Sequence, residues 1–171
     1  MATAISRPVP TAYWIDPVIN EEYSLDDKLL YVYLITNEHF QQHAVYRLSK
    51  SMMMKELGME RDRFNQAFTD LEKRFNVIKY SETTREVAIL DYYSYGILKG
   101  GKPLTDCFEH LGKKVKDFSL LKAVYDYSLN IVDDRPAFET VMTMVRNFLI
   151  DVGLLDGTKE DKEEDIPFDY R

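Results

Sequence analysis

Ser49 to Leu90 reads SKSMMMKELGMERDRFNQAFTDLEKRFNVIKYSETTREVAIL. A short helix opens it, Ser49 to Leu57. Gly58 then breaks the pattern, as a residue just past a helix does when it must turn left-handed. A second helix is expected over about Glu60 to Phe75. Its apolar residues Phe64, Ala67, Phe68, Leu71 and Phe75 recur at the spacing of one face of a 3.6-residue period. Two strand-like runs follow, Val77 to Ser81 and Glu86 to Leu90, with Glu82 to Arg85 as the tip between them. Helix, tight turn, helix and β-hairpin in this order is the pattern of a winged helix-turn-helix. The expected fold is therefore mainly α with a small three-stranded sheet, followed by a C-terminal helical segment.

Upstream, Ala44 to Leu48 reads as a short strand able to pair with the hairpin. Before it, Lys28 to Ile35 continues a helix begun at Ser24. Ser24 suits the N-cap and Asp27 the third helical position, a capping box. Residues 29 to 35 are apolar all round, and such a helix needs cover on more than one side. The C-terminal segment or a second copy of the chain could give it. Trp14, the single tryptophan, is expected to pin the N-terminus to the core. Residues 1–12, with two prolines and little periodicity, read as a flexible arm carrying Arg7.

The remaining divisions follow from composition. Residues 13–98 form the winged helix, and 99–103, Lys-Gly-Gly-Lys-Pro, form a linker. Residues 104–155 carry two apolar stripes and read as a helical hairpin, with Pro136 in a first helical turn. Residues 156–171 read as an acidic disordered tail.

Charge bounds the partners. The net charge is −7, which excludes a surface that is basic all over. Asp151 to Arg171 holds eight acidic and three basic side chains, whereas Arg47 to Arg85 holds nine basic and six acidic. A mildly basic patch on an acidic chain fits modest, salt-dependent contact with DNA. The one cysteine, Cys107, excludes an internal disulfide framework. No charged-then-apolar leader is read at the start, and no apolar run nears about 18 residues. A cytoplasmic protein without membrane contact is expected.

Catalytic patterns are sparse. No G-x-S-x-G, phosphate loop, nucleotide-binding glycine pattern or H-E-x-x-H occurs. Cys107 and His110 with His39 and His43 could in principle ligate zinc. They offer one thiol across two distant pairs, and chance surface histidines describe them better. No enzyme, cofactor or metal is expected.

If the second helix enters a major groove, its apolar stripe turns Arg61, Asn65, Gln66, Thr69 and Lys73 outward. Arg61 and Asn65 suit base edges, by the arginine–guanine and asparagine–adenine pairings. Lys50, Lys55, Arg63, Lys79 and Arg85 suit phosphates. Against this, Glu60, Asp62, Asp70 and Glu72 balance the four basic residues of the helix.

Several of these runs carry a resemblance. Tyr13-Trp14-Ile15-Asp16-Pro17, Asp27-Lys28-Leu29-Leu30-Tyr31-Val32-Tyr33-Leu34-Ile35-Thr36-Asn37, Val45-Tyr46-Arg47-Leu48-Ser49 and Glu56-Leu57-Gly58 resemble the N-terminal domain of phage replisome organiser proteins. These are related to the DnaD-like primosome proteins. The resemblance covers roughly residues 10 to 95. It implies a winged helix acting in replication initiation in a phage or mobile-element setting. It also implies origin DNA, a helicase loader or helicase as partners, and a homodimer or higher oligomer. Ala44 stands where the family commonly carries Gly, and residues 104–171 do not show its usual C-terminal DNA-binding signature. The competing reading is a protein–protein adaptor whose winged helix docks a partner or a second copy with little DNA affinity. A transcriptional regulator stands behind both.

Overall fold

The computed structural model describes residues 7–95 and 102–158. Two short helices, α1 (Thr11–Ile15) and α2 (Pro17–Glu22), lead into α3 (Leu25–Thr36). Strand β1 (Val45–Arg47) follows, then α4 (Lys50–Leu57), α5 (Arg61–Thr69), β2 (Ile78–Ser81) and β3 (Glu86–Ile89). The three strands form one antiparallel sheet in the order β1-β3-β2. That is a winged helix-turn-helix, as the sequence pattern predicts. The C-terminal segment adds α6 (Lys102–Phe108), α7 (Leu111–Lys114), α8 (Phe118–Ser128) and α9 (Pro136–Asp151).

Local signals set most boundaries. The Ser24 hydroxyl accepts the Asp27 N–H at 3.1 Å, and the Asp27 carboxylate accepts the Ser24 N–H at 2.7 Å, completing the capping box. Ser49 caps α4 through the Met52 N–H. Gly58 ends α4 in the left-handed region at φ 60°. Of the three adjacent methionines, Met53 is buried, Met54 is half-buried and Met52 faces water.

Three features differ from the sequence expectation. The second helix does not run on as one α-helix to Phe75. After Thr69 it widens into a π-helical turn over Asp70–Arg74, in which the Phe75 N–H donates to the Asp70 carbonyl at 2.8 Å. The wider turn keeps Leu71 buried and lays Phe75 on Tyr23, ring centroids 4.1 Å apart. Secondly, Tyr13 and not Trp14 anchors the N-terminus. Tyr13 is fully buried and stacks on Tyr31 at 5.3 Å, and its hydroxyl reaches the Lys28 carbonyl, while Trp14 is 51% exposed. Thirdly, Arg7 is held to the body. Its guanidinium donates to the carbonyls of Asn37 and Phe40 at 3.1 and 2.8 Å and lies over the Phe40 ring. A cation there is favoured by the carbonyls just past the end of α3. The expected arm otherwise lies partly outside the described residues, as do the glycines of the linker and most of the acidic tail.

The sheet is covered on both faces. Tyr46, Tyr80 and Val87 project to one side. There the Tyr46 hydroxyl donates to the Leu34 carbonyl of α3, and the Tyr80 ring meets Phe68 of α5. Val45, Ser81, Glu86 and Ala88 project to the other side, where α8 packs on β3 and β2 and α9 packs on α8. Every residue of β3 is therefore buried. The buried apolar side chains form one cluster from Tyr13 to Leu149, worth about 1.5–3 kcal/mol for each fully buried large aliphatic or aromatic residue.

Candidate nucleic-acid interface

The turn at Gly58 presents α5 with Phe64, Ala67 and Phe68 buried. Its other face is open. Arg61, Asn65 and Thr69 recur every four residues and are all exposed, with Gln66 beside them. Arg61 is the first helical residue and sits at the positive end of the helix, where a phosphate is favoured. Arg61, Asn65 and Thr69 have no side-chain hydrogen bond or ion pair within the protein among the described residues.

The other candidates are less free. Arg63 is held by Asp26 of α3, with guanidinium–carboxylate distances of 2.8 and 2.5 Å. This pair keeps the Asp26 carboxyl below its usual range. The Gln66 amide donates to Asp70 at 2.9 Å. Lys73 lies 3.3 Å from Glu72, and Arg74 is paired with Glu22 at 3.0 Å. Lys50 pairs with Glu82 of the hairpin tip and sits over the rings of Phe68 and Tyr80, at 4.5 and 4.8 Å. It ties α4 to the wing more than it offers a charge. Lys55 is exposed on α4. Arg85 is exposed in the wing turn at φ 57°. Lys79 is exposed on β2, but on the sheet face that carries Ser81 and Glu86, away from α5. The fold thus brings Arg61, Asn65, Gln66 and Thr69 onto one surface and leaves Lys79 on another.

Sequence reasoning misses two buried acids that shape the body behind this surface. Asp91 is buried against Tyr31, whose hydroxyl donates to it at 2.7 Å, and desolvation pushes its carboxyl up to about 7. Glu86, 1% exposed, accepts the backbone N–H groups of Lys116 and Asp117, both at 2.8 Å. No local signal marks either one, because each partner lies 25 residues or more away in the sequence. The tyrosines after Asp91 finish the core: Tyr92 and Tyr93 are buried.

The histidine–cysteine set does not assemble. Among the described residues no three His, Cys, Asp or Glu side chains come together as metal ligands would. His43 is wholly buried against Phe108, and desolvation holds its imidazole down at about 4. No described helix is long and apolar enough to cross a membrane. Compared with known proteins, the chain matches no family model, no curated protein and no solved structure.

Proposed function

We propose that this chain is a non-catalytic DNA-binding protein whose helix α5 enters the major groove. The observation that carries the reading is the open stripe Arg61, Asn65 and Thr69, on a helix held from behind by Phe64, Ala67 and Phe68. Arg61 and Asn65 read base edges, and Lys55 and the N-terminus of α5 contact phosphates. The resemblance to replisome organisers supports a role in replication initiation, with a helicase loader or helicase as the protein partner. Affinity is modest, because most cations of the α5 segment are already paired within the protein.

Anisotropy titration of short duplex and single-stranded DNA at two salt concentrations tests this. Salt-sensitive duplex binding is expected, with Arg61→Glu lowering affinity at least tenfold and leaving the thermal midpoint unchanged. Absence of retention at low salt would sink the reading.

A second reading has its own observation. Leu25 and Leu29 stand one turn apart on the outer face of α3, 83% and 49% exposed. That stripe favours an adaptor that pairs with another copy of itself.

A further inference from the structure

The cations that remain unpaired lie largely off α5. Arg47 ends β1 directly opposite Glu86 across the β1–β3 ladder. Opposed residues project to the same face of a sheet, so Arg47 shares the α8 side with Glu86. The Glu86 carboxylate bonds to the N–H groups of Lys116 and Asp117, which brings the loop before α8 to this end of the sheet. Arg85 precedes Glu86, and its carbonyl accepts the Leu48 N–H at 2.9 Å, next to Arg47. Lys79 is on the same sheet face, two residues from Ser81 on the outer strand. Arg47, Lys79, Arg85 and Lys116 are all exposed, and none forms an ion pair among the described residues.

The carboxylates of this region are already engaged. Glu86 is buried and takes two backbone N–H bonds. Glu82 is paired with Lys50. Asp117 accepts from the N–H and hydroxyl of Ser119, at 3.1 and 2.5 Å. Four unpaired cations therefore surround acids that have other partners, and this site holds more uncompensated positive charge than α5.

We infer that this end of the sheet is a second phosphate-binding face, which takes the sugar–phosphate backbone of duplex DNA beyond the segment met by α5. All four of its cations come from outside the α4–α5 pair, and Lys116 reaches it only because the C-terminal segment docks on the sheet. The inference rests on the DNA-binding reading above.

The test is the salt dependence of binding to a duplex of about 25 base pairs for wild type, Lys116→Gln, and Arg47→Gln with Lys116→Gln. Each lost phosphate contact lowers the slope of log affinity against log salt by about 0.9. A decrease of about 1 is expected for Lys116→Gln and about 2 for the double variant, with affinity at low salt down about tenfold or more. Arg61→Gln is the comparison on α5. If Arg61→Gln weakens binding while both patch variants keep the wild-type slope, the second face is overturned and the α5 reading stands. If only the double variant responds and its thermal midpoint also falls, the effect is on strand β1, and the second face is again overturned. If wild type binds no duplex at low salt, both ideas fall.

Discussion

Gly58 sits at φ 60° with no atom within 4 Å of where a Cβ would stand. Substitution there meets no clash, so the cost is that of the left-handed backbone alone. Gly58→Ala is expected to lower stability by about 1 kcal/mol, read as a shifted urea midpoint with an unchanged slope. Asp91 and His43 pull stability in opposite directions with pH. Asp91 has a folded pKa raised to about 7. Its contribution is complete below the ordinary carboxyl range and is lost as pH rises through about 7. His43 has a folded pKa lowered to about 4. Its contribution is complete above the ordinary histidine range and is lost as pH falls through about 4. Asp91→Asn removes the first effect. Urea midpoints of that variant should rise from pH 4.5 to pH 6.5 more steeply than those of wild type, and parallel curves would show that Asp91 carries no such linkage. Gly58, Ser24 and Asp27 are legible in the sequence because a cap is made within four residues of chain. Asp91 and His43 are not, because their burial depends on segments far along the chain. Trp14 misleads for the same reason: size suggests an anchor, but the stacking partner Tyr31 selects its neighbour Tyr13.

Among elements, α5 carries the candidate interface and β3 the contact with the C-terminal segment. The apolar spacing Phe64, Ala67, Phe68, Leu71 places the inward face of α5 correctly, and the outward residues follow from it. The π-helical turn is not legible, since it goes with the burial of Leu71 in the core and the stacking of Phe75 on Tyr23, a residue far along the chain. Nor is the pairing of Arg63 with Asp26 legible, which joins residues 37 apart. The Glu86 contact is the clearest link between the sheet and α8. Glu86→Ala leaves the Lys116 and Asp117 N–H groups without their acceptor and should cost about 3 kcal/mol. Amide exchange should then speed up across residues 116–128 more than in α5; uniform acceleration would mean that the contact has no local role.

At the scale of the molecule, the apolar run of residues 29 to 35 in α3 is only partly answered by the fold. Tyr31, Leu34 and Ile35 are buried, but Leu25 and Leu29 are not. A face of this kind favours self-association. The expected result is a concentration-dependent mass by light scattering, returned to that of one chain by Leu25→Ser with Leu29→Ser. A wild-type mass equal to one chain at all concentrations would remove the adaptor reading's main support. The C-terminal helices are legible as helices from their stripes, yet their docking on the back of the winged helix is not. Nothing in either stripe states which surface it covers.

The Glu86 contact also bears on how the chain is made. Synthesis delivers Glu86 thirty residues before Lys116. Until α8 emerges, Val45 and Ala88 face water and the carboxylate has only water as partner. The winged helix is thus an unfinished object while still on the ribosome, and its maturation is timed by a segment that a boundary drawn at residue 98 would discard.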